Sequence, residues 1–377
     1  MGGNSFGRFF TLTTFGESRS AGVGAVIDGC PAGLPLSEAD IQPYLNRRKP
    51  GQGLYTSQRS EADICQIHSG TFNGLTTGAP IMVLIENANP NSSDYDELAD
   101  VYRPGHADYT YDMKYGFRDY RGGGRSSGRE TAARVIGGAI AAKLLKQLEI
   151  EITAFTQSIG PVYAKNLNLE DCALNPLYMP DMQAAYLAAD FIDELIAHKD
   201  SAGGIISCFV RGLPAGVGEP VADKLEAELA KALLSIGGFK GVEFGAGFAS
   251  SRMSGSKNND EFYIIKKGYD ASYAENTVFK ISKRSNNAGG ILGGISDGSA
   301  LIINTAIKPT PSIGMTQKTI DKNGNEVVIE IGGRHDPVIV PRAVVVVEAM
   351  VAITILDLML RGMAAKLDNI KKVYGKN

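Results

Sequence analysis

Two kinds of hydrophobic spacing alternate along the chain. Residues 81–85, 205–210 and 301–307 are short continuous apolar runs rich in branched side chains, which predicts buried strands. Leu225, Leu229, Leu233 and Ile236 recur at three- and four-residue intervals and predict a helix. Residues 131–148 predict another, alanine-rich and either weakened or closely packed at Gly137 and Gly138. Ser37 with Asp40 has the form of a capping box opening a helix through Leu45. Asn323-Gly324 between two alternating stretches predicts a hairpin. Strands and helices therefore mix, an α+β pattern. The most apolar stretch, 338–360, is broken by Arg342, Glu348 and Asp357, and so predicts a core helix entered through Pro341 rather than a membrane span.

One local pattern occurs twice. Gly29-Cys30-Pro31-Ala32-Gly33 follows an apolar run and leads into an acidic helical stretch; Gly212-Leu213-Pro214-Ala215-Gly216 does the same about half a chain later. Two readings fit: related halves, about 1–195 and 196–377, sharing one sheet-and-helix layout, or a turn that is simply common before helices. No Ser/Pro-rich linker or charge block divides the halves, so one compact unit over 1–377 is expected.

Composition narrows the class. At 44% hydrophobic and 21% charged the chain is neither disordered nor collagen-like, so its 45 glycines must serve a folded protein. A net charge of −3 and a pI near 5.9 give no global pull toward nucleic acid or an anionic membrane. Cys30, Cys65, Cys172 and Cys208 lie far apart with no C-x-x-C pair, which argues against a zinc or redox motif, and no metal site is expected. The N-terminus MGGNSFGRFF has no apolar leader, so the expectation is a cytoplasmic protein without membrane or nucleic-acid partners.

The glycines gather where polar residues are densest. Segment 103–134, RPGHADYTYDMKYGFRDYRGGGRSSGRETAAR, carries six arginines and one lysine against four acids. Gly122, Gly123 and Gly124 let backbone approach a ligand, Ser126 and Ser127 offer hydroxyls, and a helix starting near Arg129 aims N–H groups at the loop. Together these make an anion cradle. Residues 124–128 also fit G-x-S-x-G, yet the preceding YGFRDYRGG is too polar and glycine-rich for the buried strand that a nucleophile elbow needs. Neither a Walker A sequence nor a strand-led G-x-G-x-x-G occurs. His106 lies inside the basic cluster, where an imidazole has an anion to protonate, and His335 adjoins Asp336. Segments 235–241 and 285–298 supply small residues on which a flat ring can lie. Lys308-Pro309-Thr310-Pro311-Ser312, after a strand, places a cation and hydroxyls where a phosphate tail commonly sits.

These segments carry a family resemblance. TTFGES (13–18), RRKPG (47–51), the whole of 103–135, NNAGGILGGISDG (286–298), KPTPSI (308–313), RHDP (334–337) and EAM (348–350), in this order, resemble chorismate synthase along essentially the whole chain. The resemblance implies a homotetrameric β-α-β sandwich that binds reduced FMN. It implies conversion of a phosphorylated cyclohexene acid, 5-enolpyruvylshikimate 3-phosphate, to chorismate by 1,4-elimination of phosphate without net redox change. That is the last common step of aromatic amino acid biosynthesis. By the same resemblance His106 protonates reduced flavin, with Ser18 and Asp336 helping proton removal near flavin N5. Flavin contacts map to Arg125, Ser126, Ser127, Gly237, Gly238, Gly293, Lys308, Pro309, Thr310, Pro311, Ser312 and Arg334, and substrate contacts to Arg48 and Arg129. Whether NADPH reduces the flavin on the protein, or reduced FMN arrives from elsewhere, stays open.

Departures from the pattern fall mainly on the phosphate side. Where the family has Gly-Glu-Ser-His-Gly, this chain reads Gly16-Glu17-Ser18-Arg19-Ser20, and where a further phosphate-binding arginine is common it has Leu54. The Asn-Ala or Pro-Ala of the flavin loop is Gly237-Gly238. An arginine holds an anion but delivers no proton at neutral pH. Three readings follow: Arg19 substitutes electrostatically in a chorismate synthase, the pocket serves a different cyclohexene acid, or the chain is a non-catalytic FMN-binding paralogue.

Overall fold

Branched residues on alternating positions build two antiparallel sheets, each turning its apolar face to a shared helical layer. The computed structural model describes residues 3–51, 55, 62–87, 98–269, 277–332 and 336–375. Strands β1 (Ser5–Phe6), β2 (Thr11–Gly16), β3 (Gly22–Asp28), β4 (Cys65–Ile67) and β7 (Ile81–Glu86) form the first sheet in the order β1-β2-β3-β7-β4, with the small hairpin β5 (Thr71–Phe72) and β6 (Leu75–Thr76) before β7. Strands β8 (Glu151–Ile159), β9 (Val162–Tyr163), β10 (Gly204–Arg211), β11 (Phe239–Phe244) and β16 (Leu301–Ile307) form the second, β11-β16-β10-β8-β9. Between β11 and β16 lie two hairpins, β12 (Phe262–Tyr269) with β13 (Thr277–Lys283), and β14 (Ile291–Leu292) with β15 (Ile295–Ser296). Asn323-Gly324 does turn a hairpin, joining β17 (Gln317–Ile320) to β18 (Glu326–Ile329) with Gly324 at φ +83°.

The order β2-β3-β7-β4 of one sheet is repeated as β8-β10-β16-β11 in the other. The repeat extends to single hydrogen bonds. After β3, Gly33 N donates to Thr76 O at 2.8 Å, and the Thr76 hydroxyl accepts from Leu34 N and donates to Pro31 O. After β10, Gly216 N donates to Ser296 O at 2.9 Å, and the Ser296 hydroxyl accepts from Val217 N and donates to Pro214 O. Both Pro-Ala-Gly turns are thus clipped to the hairpin preceding the third strand of their own half, an arrangement a casual turn would not share.

Helices α1 (Glu38–Arg48), α3 (Thr131–Gln147), α5 (Leu225–Leu234) and α7 (Val340–Gly362) fill the space between the sheets, α3 against β2 and β3 and α7 against β8 and β10. The shorter or peripheral helices are α2 (Asp108–Tyr115), α4 (Met182–Ala197), α6 (Gly255–Asn258) and α8 (Leu367–Tyr374). The result is the expected β-α-β sandwich. Helix α7 is long and apolar enough to cross a membrane, but 83% of its most apolar window is buried inside the protein. Its interrupting charges have partners. Glu348 accepts from Arg47 at 2.7 Å and from Ala154 N, and Asp357 Oδ1 accepts the N–H groups of Arg8, Phe9 and Phe10 at 2.6–3.0 Å. Helix α1 runs three residues past Leu45, because Arg47 and Arg48 are drawn into these and the site's ion pairs.

The glycine pair in α3 marks close packing. A Cβ on Gly138 would stand 2.2 Å from Ala349 Cβ and 2.3 Å from its Cα, whereas one on Gly137 would meet mainly the end of the Leu12 side chain at 2.9 Å. Gly138→Val is therefore expected to cost about 3 kcal/mol, at the upper end of overpacking penalties, because α3 and α7 must separate. Gly137→Ala should cost far less, and denaturation midpoints of the two variants check the contrast.

Candidate active site

The glycine loop at 122–124 is the hub of the site. Gly122 adopts φ +90°, and a Cβ there would lie 3.0 Å from Ser18 Oγ and 3.7 Å from Arg19 Cγ, so the Ser18–Arg19 turn rests directly on the loop. Ser20 builds that turn: its hydroxyl accepts from Glu17 N at 2.9 Å and faces Gly22 O at 2.8 Å. Arg103, paired with Asp108 at 2.7 Å, donates to Gly122 O at 3.1 Å. Next to Arg103, His106 Nε2 and Ser312 Oγ share a 2.6 Å hydrogen bond, and Lys308 Nζ donates to Gly105 O at 2.7 Å. Lys308 N in turn donates to Gly238 O, and a Cβ on Gly237 would lie 3.8 Å from Ser126 O. Ser18, Arg19, His106, Ser126, Gly237, Gly238, Lys308 and Ser312 are thus brought together from five stretches of sequence.

Charge and burial at this ring suit an anion. Burial, followed by the neighbouring Lys240 charge, pushes the Lys308 ammonium below the usual lysine range, so a bound anion would stabilise its charged form. Among the described residues, the buried hydroxyls of Ser18 and Thr310 have no hydrogen-bond partner. Unsatisfied buried hydroxyls are costly, and here one lies against the glycine loop at Gly122 and the other belongs to the segment that carries Ser312. Ser127 caps the following turn by accepting from Arg129 N at 3.2 Å, and Ser126 sits on the short 3-10 turn Gly124–Ser126, with no strand leading into it. The nucleophile-elbow geometry is absent there.

A second cluster lies beside the first. The Asp63 carboxylate bridges the two arginines assigned to substrate, Oδ2 to Arg48 Nη2 at 3.1 Å and Oδ1 to Arg129 Nη1. Arg48 also donates to Gly128 O at 3.1 Å, and Arg129 to Asn87 Oδ1 at 3.0 Å. Asn87 Nδ2 then reaches Glu17 O and Ser20 O, at 3.1 and 2.7 Å, which ties the cluster to the Ser18–Arg19 turn. On the other side Arg342 pairs with Asp336 and donates through Nε to Arg48 O at 3.0 Å. Asp336 is thereby joined to the same array.

Some expected residues stand apart. Gly293 is at the tip of the β14–β15 hairpin, whose Gly290 packs on Ala300 at the start of β16, whereas Lys308 follows the strand's end. The seven residues of β16 span roughly 20 Å, so one chain does not bring Gly293 to Lys308. Arg125 turns its guanidinium to Thr14 Oγ1 at 2.6 Å and Gly16 O at 2.8 Å. With Ser126 and Gly122–124 it lines a cavity of about 920 Å³ that also includes Tyr111 and Arg134. Arg334 and Leu54 lie outside the described residues. Asp63, Asn87, Arg103 and Arg342 complete the site, although the sequence alone marks none of them as a site residue. Of these only Arg103 carries a local signal, opening the basic segment.

Comparison with known proteins now bears on this geometry. The chorismate synthase family profile matches residues 10–360. The chain belongs to the chorismate synthase family. A chorismate synthase from Lachnoclostridium phytofermentans is 55% identical over 379 residues, covering 100% of both chains. One from Methanocella arvoryzae is 52% identical over 367 residues, covering 96% of this chain and 95% of its own. A crystal structure of chorismate synthase superposes with a TM-score of 0.74 at 30% identity, covering 97% of this chain and 96% of that one. Full-length identity at this level supports chorismate synthase function and does not favour a different cyclohexene acid or a non-catalytic paralogue.

Proposed function

We propose that the protein forms chorismate from 5-enolpyruvylshikimate 3-phosphate by 1,4-elimination of phosphate, using reduced FMN, as a cytoplasmic homotetramer. The observation that carries the cofactor reading is the convergence of Ser18, Thr310, Lys308 and Gly237-Gly238 on the His106–Ser312 pair, with two buried hydroxyls lacking partners and a glycine loop that a Cβ would fill. Lys308, Thr310 and Ser312 would hold the phosphate tail, while Gly237 and Gly238 leave room for a flat ring. When bound, the reduced flavin supplies electron density as the allylic phosphate departs. His106, oriented through Nε2 by Ser312, serves as the proton donor, and Asp336, fixed by Arg342, helps with Ser18 to remove the proton lost from the substrate ring. Arg19 holds the departing phosphate beside the glycine loop. Gly293, remote from Lys308 within one chain, fits a flavin site completed by a second copy.

Anaerobic incubation of the protein with reduced FMN and 5-enolpyruvylshikimate 3-phosphate is expected to release phosphate and chorismate in equal amounts. Titration with reduced FMN should shift the flavin spectrum, and Lys308→Ala should weaken that binding by about tenfold, the scale of a lost charge-assisted hydrogen bond. An unchanged spectrum would remove the flavin assignment. Adding NADPH with oxidised FMN tests whether the protein reduces its own cofactor.

A further inference from the structure

We infer that Asp63 is a positioning residue that sets Arg48 and Arg129 as a matched pair for the substrate's anionic groups. The inference rests on the reading of these arginines as substrate contacts. Asp63 has a fully buried side chain, and those of Arg48 and Arg129 are only 3% and 8% exposed. Each carboxylate oxygen takes a different guanidinium, so one short side chain fixes the spacing between two arginines that come from different elements, the end of α1 and the turn before α3.

Its backbone is equally constrained. Asp63 sits at φ +49°, a left-handed conformation that a non-glycine residue adopts at a cost, though aspartate tolerates it better than most. Burying an ion trio is also expensive, and an apolar replacement of similar volume is often as stable. Both costs are understandable if the trio has a job beyond holding the fold. Two arginines and one carboxylate leave a net positive charge, so the trio still attracts an anion. Its outer arms reach Gly128 O before α3 and, through Asn87, the backbone of the Ser18–Arg19 turn. A displaced Asp63 would therefore misplace both arginines and loosen their link to that turn.

Steady-state kinetics of the full-length protein with reduced FMN and 5-enolpyruvylshikimate 3-phosphate test this. D63N is expected to raise KM about tenfold or more with a much smaller change in kcat, while affinity for reduced FMN stays near wild type. In a double-mutant cycle, D63N combined with R129K should be little worse than R129K alone, because Asp63 acts through that arginine. Additive losses would mark a merely structural role and overturn the proposal, as would a lower KM in D63N, which would make the carboxylate a competitor of the substrate. If D63N does not fold, D63E, which keeps the charge but moves it by one methylene, decides: raised KM supports the role and unchanged KM overturns it. Unchanged KM in both R48K and R129K would sink the substrate reading itself. Raised KM there with an unaffected D63N would sink the Asp63 role alone.

Discussion

Replacing His106 with asparagine is expected to lower turnover by roughly 10²–10⁴-fold, the range over which a positioned acid or base acts, while leaving reduced FMN bound. Asparagine keeps a polar side chain beside Ser312 but cannot take up and release a proton as an imidazole can, whose Nε2 here lies 2.6 Å from the serine hydroxyl. The loss should therefore appear in kcat. Ser312→Ala removes the ring's orienting partner together with one hydroxyl of the phosphate-tail set, and is expected to lower turnover far less, about tenfold, with some loss of flavin affinity. Single-turnover measurements of phosphate release, made anaerobically beside a flavin-binding titration, separate the two. A His106→Asn protein that turns over within a few-fold of wild type would end the acid–base assignment. One that loses flavin as well would move His106 from chemistry to cofactor retention.

What could be read from the sequence was whatever is local. Short branched runs became β7, β10 and β16, and the charges that interrupt 338–360 became partnered groups on a core helix, because burial of apolar side chains dictates both. The glycine loop at 122–124 and the turns that follow it are legible because three glycines, two serines and a helix start are contiguous. Asp63 was not. It is one acid in a polar stretch, and its role comes from two arginines brought to it by α1 and α3. In the sequence Arg342 only breaks an apolar run, yet in the fold it joins Asp336 to Arg48. The half-chain repeat shows the same limit. The Pro-Ala-Gly turns are visible in sequence, but the hydroxyls that clip them, Thr76 and Ser296, follow 45 and 82 residues later. The family resemblance groups Gly293 with Lys308, and the length of β16 separates them within one chain.

Arg19 is the position where this chain most needs a physical account, since the family pattern has histidine there. Its side chain lies against Gly122, and Ser20, also unlike the pattern, locks the turn that presents it. Arg19→Ala is expected to lower kcat/KM by about 10–100-fold, the worth of a charge-assisted hydrogen bond to a departing phosphate. Arg19→His should restore much of that loss, but only on the acid side. A histidine with an ordinary pKa of ~6.5 is cationic below that value and neutral above it. Its grip on phosphate, and its capacity to give the phosphate a proton, are both present at low pH and fade as pH rises through ~6.5. The wild-type guanidinium stays charged across the same range. The ratio of kcat/KM for Arg19→His over wild type should therefore fall as pH is raised from about 5.5 to about 8.5, and a ratio that stays flat would show that residue 19 neither holds nor protonates the leaving group.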